Sequence, residues 1–369
     1  MLAVIRCLDD SGFEVAATAS TRLAPGLWSR ASTERRILPA AGADIEGFVA
    51  RLETLLRIGR SQVLIPGTDA ALYAVSRYRD RLSRYVKIGL PDHDSVMQAL
   101  DRECLGRYSA AAGLTPPDCR VCERVEDALA AASAFGFPVL VKPVRTVSED
   151  GGKLVRNSSR LAPDEQVVRD LHRQLGRCIV QRRETGQVVS FAGVATDSGM
   201  LGSVVSRYRR TWPPEGGNAC FSETIPAPAH LAERVEALIG AIGWRGIFEL
   251  ELIERSDGSM AAIDFNPRAY GSLSLACAAG VPLPSIWCRR LLGEQPVIPA
   301  MARVGLRYRW EDADLRHAAW QLRRGAVKRA AGVLAPQADV THAYLRYSDP
   351  APLVLRGLEL ARVAARAYH

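Results

Sequence analysis

Two short segments near the middle of the chain combine carboxylate, amide and arginine side chains at close spacing. Glu249 lies in an apolar run, and Asp264, Asn266 and Arg268 occupy alternate positions at the end of the next one. Side chains alternate faces along a β-strand, so Asp264 and Asn266 should share a face. Two carboxylates and an amide oxygen suit Mg²⁺, which also binds substrate phosphates. The planar guanidinium of Arg268 suits a phosphate or a carboxylate.

A tight turn is predicted between these two segments. Asp257-Gly258 is a typical turn dipeptide, so the two segments should pair as an antiparallel hairpin. That pairing would place Glu249 beside Asp264 and Asn266. An ordinary hairpin with a solvated acidic face would not explain an amide and an arginine at this spacing. We therefore favour a metal and anion site.

The same segments resemble the metal-binding hairpin of the ATP-grasp ligases, usually a Glu followed by Glu-hydrophobic-Asn-Pro-Arg. Here Asp264 replaces the second Glu, which shortens the ligand without removing it. Further similar segments occur in order between about Asp101 and Pro284, as in the ATP-binding domains of carbamoyl-phosphate synthases and biotin carboxylases. The resemblance implies that Glu249, Asp264 and Asn266 bind Mg²⁺, with Mn²⁺ as a substitute. It also implies a catalytic role for Arg268 at the substrate or phosphate.

A lysine that closes an apolar strand is the second chemical signal. Lys142 ends the run 137–142 and is one of only four lysines in the chain. An ammonium group at a buried strand end is costly unless an anion meets it. The alternative is a surface lysine that extends its amine into solvent. The resemblance favours contact with ATP phosphates, and it assigns a second phosphate contact to Arg102.

The resemblance extends to the rest of the nucleotide site. The loop after Lys142 is similar to a glycine loop that covers phosphates, with Ser148, Gly151 and Gly152 present and acidic residues inserted. The strand near residue 180 and its turn are similar to the segment that holds adenine and ribose. This similarity implies nucleotide contacts from Gln181, Arg182, Arg183 and Glu184, although the Glu that usually follows is absent.

Two further segments are candidates for substrate binding. Arginines and glycines between Arg207 and Asn218 predict a loop that grips an acid and closes over an acyl phosphate; a solvated basic loop is the alternative. We assign catalytic roles to Arg207 and Arg209, and substrate binding to Arg210 and Gly217. Thr68 and Asp69 follow a predicted strand, where open α/β sheets bind ligands. Either residue would also serve as a helix N-cap.

The chemistry suggested by these residues is positioning and electrostatic stabilisation, since no catalytic His or Ser accompanies the carboxylates. The resemblance implies an ATP-dependent carboxylate–amine ligase that forms an acyl phosphate. Its partners would be small molecules, namely an amino-acid-like carboxylate and an amine. Two alternatives remain: a carboxylase-type enzyme that activates bicarbonate, and a non-catalytic nucleotide-binding protein.

The expected fold is α/β in three parts. Alternating strands and helices predict a parallel α/β domain over 1–90. The resemblance implies an ATP-grasp domain with antiparallel sheets over 91–295, its smaller nucleotide lobe at about 123–182 and its catalytic lobe at 183–295. A mainly helical extension follows at 296–369. Such α/β units normally begin with a strand, and this chain opens on a predicted helix. We therefore expect either a first strand missing through the choice of start site or a protein that does without it.

Individual elements are predicted from apolar periodicity and turn residues. One helix should begin near Pro91 and contain Asp101 and Arg102. Another should span 226–242. In the extension we expect a strand at 304–310 and helices at about 311–331 and 352–367. The last helix should dock on the catalytic domain, with a membrane-surface role as the alternative.

Composition sets broad limits on the function. The chain is 48% hydrophobic and 24% charged, as is usual for soluble globular proteins. Its net charge of +8 comes mostly from scattered arginines, so nucleic acid is not an expected partner. Eight cysteines without a zinc-site spacing indicate reduced thiols. No apolar stretch approaches the roughly 20 residues that span a bilayer. We expect a cytoplasmic protein without stable membrane insertion, and a homodimer is possible.

Overall fold

A computed structural model describes residues 1–151, 153–156 and 158–367. The N-terminal segment alternates helices with short strands: α1 (Leu2–Asp10), β1 (Ala16–Ala19), a 3₁₀ turn (Pro25–Trp28), β2 (Glu34–Ile37), α2 (Ile45–Ile58), β3 (Val63–Leu64), α3 (Asp69–Arg77), α4 (Arg79–Leu82) and β4 (Lys87–Ile88). Strand β1 pairs in parallel with β2, and β3 pairs in parallel with β4. The predicted parallel α/β class is confirmed.

Two helices, α5 (His93–Ala99) and α6 (Arg102–Ala111), follow the N-terminal segment. The prediction of a single helix that contains Asp101 is therefore wrong. Asp101 is the N-cap of α6, and its carboxylate accepts hydrogen bonds from the backbone N–H groups of Glu103 and Cys104 at 2.9 and 3.2 Å. An aspartate that satisfies these free amides favours a helix start at this position.

The next elements build a small antiparallel sheet: β5 (Cys119–Cys122), α7 (Val125–Phe135), β6 (Val139–Pro143), β7 (Val147–Asp150), β8 (Lys153–Arg156), β9 (Arg160–Ala162), α8 (Glu165–Leu175) and β10 (Cys178–Arg182). The sheet order is β5-β10-β6-β9, and β7 and β8 form a separate hairpin. Val139, Val141 and Val180 are fully buried in a core shared with α7 and α8. Because side chains alternate along β6, Lys142 points away from that core.

A larger sheet carries the acidic hairpin. Its elements are β11 (Gln187–Thr196), β12 (Gly199–Trp212), β13 (Asn218–Thr224), α9 (Leu231–Ile242), β14 (Gly246–Glu254) and β15 (Met260–Asn266), followed by α10 (Leu273–Ala278) and α11 (Leu283–Leu292). Helix α9 begins later than predicted because His230 has a left-handed φ of 59°, which a right-handed helix does not contain. The predicted loop from Arg207 is also shorter, since β12 continues through Trp212.

The C-terminal extension adds both strands and helices: β16 (Arg307–Arg309), α12 (Glu311–Arg323), α13 (Val327–Leu334), β17 (Val340–His342) and α14 (Ala351–Ala367). The large sheet has the order β15-β14-β11-β12-β13-β16-β17, so the extension completes one edge of it. The single helix predicted at 311–331 is wrong, because Gly325 has a φ of 72° and separates α12 from α13.

The extension is held by buried ion pairs. Arg210 of β12 binds both oxygens of Asp314 on α12 at 2.8–3.0 Å, and Arg309 lies 3.1 Å from the same carboxylate. Asp349, which precedes α14, pairs with Arg6 of α1 at 2.9 Å. Helix α14 itself packs on the 3₁₀ turn of the N-terminal segment. The extension therefore joins the N-terminal segment to the large sheet, and the predicted domain boundaries at residues 90 and 295 stay predictions.

The two faces of the large sheet pack against different helices. Phe248, Leu250 and Leu252 are fully buried in a core that α2, α3, α5, α6 and α9 help to form. Ile247 and Val194 lie in a second core with α1, α10 and α11. Within the ranges given above, no helix is long and apolar enough to cross a membrane. Helices thus cover both faces of the sheet, and the acidic hairpin of β14 and β15 lies at one edge of it.

We expect Asp314→Ala to lower the free energy of unfolding by about 3–5 kcal/mol, because it leaves two largely buried guanidinium groups without their counter-ion. Urea denaturation followed by circular dichroism measures this change. Asp170→Ala is the control, since Asp170 is exposed and bonds Arg173 and Gln166 on its own helix; it should cost less than about 1 kcal/mol. Equal losses in both variants would show that Asp314 does not hold the extension.

Candidate active site

The hairpin of β14 and β15 brings the predicted metal ligands together. The strands pair antiparallel, as the Asp257-Gly258 turn predicts, with Glu249 opposite Asn266. The Asn266 amide donates a 3.1 Å hydrogen bond to the Glu249 carboxylate. The metal role of the residues on this face stays a prediction, whereas their grouping on one strand face is confirmed.

A further carboxylate, Glu251, belongs to the same face and was missed by the sequence analysis. It lies two residues after Glu249 and directly opposite Asp264 in the hairpin register. The Tyr208 hydroxyl lies 3.2 Å from the Glu249 carboxylate and 3.1 Å from that of Glu251. The strand alternation that placed Asp264 and Asn266 together would also have identified Glu251.

Burial and mutual repulsion dominate the electrostatics of this acidic face. Burial raises the pKa of Glu249, while hydrogen bonds from Ser190 and Tyr208 act against that rise. The pKa of Glu251 is raised to about 8, first by burial and then by the nearby charges of Glu249 and Asp264. Carboxylates crowded in this way favour a bound cation, which would relieve both effects.

The donor set fits Mg²⁺ in composition. Carboxylate and amide oxygens are its usual protein ligands, and the ion keeps other positions for water and phosphates. Among the residues that the structure describes, no group of three or more His, Cys, Asp or Glu side chains is placed to hold a metal ion by itself. An open set of this kind fits a cation that arrives with a phosphorylated substrate.

Two cations from other elements reach the acidic face. Lys142 is only 6% exposed, and its amine donates a 3.0 Å hydrogen bond to the Ile263 carbonyl. The proposal of a solvated surface lysine is therefore wrong. Arg102, the first residue of α6, lies 3.2 Å from Asp264 and donates to the Pro143 carbonyl at 3.2 Å. Within the described part of the chain, its buried Nε has no hydrogen-bond partner.

Arg268 connects the hairpin to the N-terminal segment. Its guanidinium forms an ion pair with Asp69 and a 3.4 Å hydrogen bond to the Asn266 side-chain oxygen. Asp69 is buried at the start of α3. Thr68 is exposed, and its hydroxyl accepts a 3.1 Å hydrogen bond from the Ala71 backbone. The N-cap interpretation thus applies to Thr68, whereas Asp69 lies in the site.

The residues predicted to bind adenine and ribose lie on β10 and the turn after it. Gln181 is buried, Arg182 pairs with Asp118 at 3.0 Å, and Arg183 is exposed. Glu184 forms a two-point ion pair with Arg255 at 2.7 and 2.9 Å. Any ribose contact from Glu184 would therefore compete with this pair, and all four roles stay predictions.

The loop predicted to cover the phosphates is the hairpin of β7 and β8. Ser148 lies on β7, and Gly151 is exposed in the turn with a left-handed φ of 55°. Gly152 lies outside the described residues. The contribution of this hairpin to nucleotide binding remains a prediction.

Each of the three arginines predicted to grip the acid already has a carboxylate partner. Arg207 pairs with Glu254 and Arg209 with Glu223, both at 2.8 Å, and Arg210 binds Asp314. Gly217 is required by local packing, since a Cβ there would lie 2.2 Å from the Trp212 carbonyl oxygen. The structure groups Arg268, rather than these residues, with the acidic face, and their proposed roles stay predictions.

Comparisons with known proteins agree with this geometry. A family profile described as ATP-grasp in the biosynthetic pathway with Ter operon matches residues 177–313. The carbamoyl phosphate synthase large chain of Vibrio cholerae serotype O1 is 24% identical over 217 residues, 54% of this chain and 19% of that protein. The formate-dependent phosphoribosylglycinamide formyltransferase of Solidesulfovibrio magneticus is 26% identical over 243 residues, 58% of this chain and 57% of that protein. The match thus spans about a fifth of the length of the first relative and somewhat over half of the length of the second.

Solved structures share the fold over most of the chain. The biotin carboxylase domain of Hydrogenobacter thermophilus 2-oxoglutarate carboxylase, a dimer solved with MgADP and bicarbonate, has a TM-score of 0.63. It is 15% identical, and the match covers 83% of this chain and 71% of that one. The L-amino acid ligase of Bacillus licheniformis has a TM-score of 0.60 at 13% identity, with 78% and 70% covered.

The chain has the fold of the ATP-grasp ligases, and residues 177–313 match an ATP-grasp profile. The resemblance seen in Phe248-Glu249 and Asp264-Phe265-Asn266 is confirmed by the profile match and the shared fold together. In this ATP-grasp fold the acidic face, the buried lysine and two arginines meet where three parts of the structure join.

The burial of Lys142 leads to a prediction that nucleotide binding depends on pH. Burial lowers the pKa of Lys142 to about 8, so the amine is mostly neutral at about pH 9 and mostly charged at about pH 7. Phosphates favour the charged amine, so Lys142 should gain a proton when ADP binds without metal at about pH 9. At about pH 7 the amine is already charged, and ADP binding should take up few protons. Calorimetry in buffers of different ionisation enthalpy measures this uptake.

The matched variant is Lys142→Arg, which keeps the charge but cannot lose its proton in this range. It should show no uptake linked to this position at either pH. Identical buffer dependence in the wild-type protein and in the arginine variant would contradict the assignment of Lys142 to the phosphates.

Proposed function

We propose that this ATP-grasp chain is an ATP- and Mg²⁺-dependent ligase that joins an amino-acid-like carboxylate to an amine. The observation that supports it best is the convergence of opposite charges at one end of the large sheet. The acidic face meets Lys142 and Arg102 on one side and Arg268 on the other. A triphosphate, a divalent cation and a carboxylate are the ligands that such a set complements.

The acidic face would hold the cation. Glu249, Asp264 and Asn266 provide the ligands that the resemblance implies, and Glu251 adds a carboxylate directly opposite Asp264. When bound, Mg²⁺ neutralises phosphate charge and orients the phosphates; Mn²⁺ has the same ligand preferences. Ser190 donates a 2.7 Å hydrogen bond to Glu249, which fixes that carboxylate before any ligand binds.

Lys142 and Arg102 would hold the phosphates of ATP. Arg102 already lies against Asp264 and keeps one N–H without a partner among the described residues. A phosphate oxygen would satisfy that donor and would also restore full charge to Lys142. Charge-assisted hydrogen bonds of this kind are stronger than those between neutral groups.

Arg268 would hold the acid and then the acyl phosphate. Its hydrogen bonds engage Asp69, Asn266 and the Ala269 carbonyl, so much of its five-donor fork is occupied. A substrate carboxylate must therefore share the guanidinium with Asp69 or displace it. In either case Asp69 fixes the orientation of Arg268 and belongs to the substrate side of the site.

The reaction would proceed by two displacements without a covalent enzyme intermediate. A carboxylate oxygen of the substrate attacks the γ-phosphorus, and the bond to the ADP oxygen breaks. The amine then attacks the acyl carbon, phosphate leaves with the bonding electrons, and the amine loses a proton. The arginine and lysine side chains stabilise the negative charge that develops on the phosphoryl group.

Known relatives support this chemistry and one alternative. The Bacillus licheniformis neighbour is an L-amino acid ligase, and the Hydrogenobacter thermophilus neighbour was solved with MgADP and bicarbonate. A carboxylase-type enzyme that activates bicarbonate is therefore the second candidate. The dimeric state of that neighbour supports a homodimer as part of the proposal.

The test of this function is ADP release in the presence of candidate acids and amines. We expect release that requires Mg²⁺ and an amino acid, and hydroxylamine should trap the acyl phosphate as a hydroxamate detectable by mass spectrometry. ADP release with bicarbonate alone and no hydroxamate would favour the carboxylase. Nucleotide binding without turnover over the whole screen would favour a binding protein.

The metal assignment has its own prediction. Asp264→Asn and Glu251→Gln should each weaken Mg²⁺ binding and slow ADP formation by about tenfold or more, because each removes a negative oxygen ligand. Calorimetry with magnesium, and Mn²⁺ binding by electron paramagnetic resonance, measure affinity separately from activity. Glu126→Gln on α7, an exposed position, is the control. A folded double variant with wild-type affinity would contradict the assignment.

A further inference from the structure

The hairpin of β7 and β8 contacts the N-terminal segment on both of its strands. The Tyr73 hydroxyl on α3 donates a 2.6 Å hydrogen bond to Glu149 of β7. The Leu154 backbone N–H on β8 donates a 2.8 Å hydrogen bond to the Gly42 carbonyl. Val147 and Leu154 are buried in the core that α2 and α3 line. The acid that interrupts the expected glycine loop therefore has a structural partner.

The same hairpin begins beside the two proposed phosphate-binding cations. It follows directly from β6, which carries Lys142, and the intervening Val144 carbonyl accepts a 2.9 Å hydrogen bond from the Arg102 backbone. Arg145 pairs with Asp101 at 3.0 Å. The start of the hairpin is thus fixed to the first turn of α6.

Helix α3 contacts both the proposed substrate region and the hairpin beside the proposed nucleotide phosphates. Asp69 binds Arg268, and Tyr73, four residues later on the same helix face, binds Glu149. Resting on the proposed function, we infer that Tyr73 is a positioning residue that fixes the β7–β8 hairpin beside the nucleotide phosphates. The same helix would then hold both the substrate arginine and the element that borders the nucleotide.

The chemistry of Tyr73 suits this role. Burial, followed by the hydrogen bond to Glu149, raises the pKa of Tyr73 to about 12, so the hydroxyl remains a donor at neutral pH. Its ring packs edge-on against His93 at a centroid distance of 5.3 Å. Removal of the hydroxyl alone should therefore leave the ring in place.

The experiment compares Tyr73→Phe and Glu149→Ala with the wild-type protein. Hydrogen exchange of peptides within 147–156 reports how firmly the hairpin is held. Calorimetry with magnesium and AMP-PNP, an ATP analogue that is not readily hydrolysed, reports nucleotide affinity. Tyr78→Phe is the matched control, because the Tyr78 hydroxyl bonds the Glu46 carboxylate elsewhere on the N-terminal segment.

We expect each variant to speed exchange of the hairpin and weaken analogue binding by about tenfold, the usual cost of one hydrogen bond to a charged group. The double variant should be no worse than either single one, since both remove the same contact. Glu149→Gln retains an acceptor oxygen and should restore most of the affinity. Tyr78→Phe should change neither measurement.

Two outcomes separate this inference from the proposed function. Unchanged analogue affinity in Tyr73→Phe and Glu149→Ala, with normal binding by the wild-type protein, would overturn the role of Tyr73 in nucleotide binding. Failure of the wild-type protein to bind the analogue would contradict the proposed function itself. The exchange measurement would then still show whether Tyr73 holds the hairpin.

Discussion

The crowding of several carboxylates around the buried Glu249 on one strand face is the constraint on which the rest of the site depends. Glu249 is buried and Glu251 is partly buried; burial, followed by the nearby charge of Glu249, raises the pKa of Glu251 to about 8. An uncompensated buried charge is strongly destabilising. Hydroxyl donors from neighbouring strands and cations from other elements reduce this cost, which makes the acidic face the point where the parts of the chain meet.

Each compensating group comes from a different element. Tyr208 is supplied by β12, Lys142 by β6, Arg102 by α6 and Arg268 by the segment after β15. An ion pair or hydrogen bond of this kind forms only when both elements are in position. The site is therefore complete only when all of these elements have assembled. In the proposed function, the same groups would complement a nucleotide phosphate and a metal ion. These ligands would complete the compensation of charge that the protein groups alone leave partial.

Local rules predicted the geometry of the hairpin because its residues are close in sequence. Strand alternation and the Asp257-Gly258 turn fix the relation between Glu249 and Asn266. They cannot show that Asp69 lies against Arg268, because that contact joins residues 199 positions apart. The same limit explains the arginines near Arg210: their composition indicates an anion site, but a carboxylate on α12, distant in sequence, already occupies Arg210.

In the proposed function, the placement of Asp69 would give the N-terminal segment a role in the chemistry. Arg268 follows the acidic strand and would be drawn towards Glu249 if no other carboxylate were near. Its pairing with Asp69 holds the guanidinium at the boundary between the hairpin and α3. A substrate carboxylate bound there, as proposed, would meet a guanidinium that belongs to the segment after β15 and is oriented by Asp69 of α3. Substrate selection would therefore depend on the fit between these parts as well as on the residues of the acidic face.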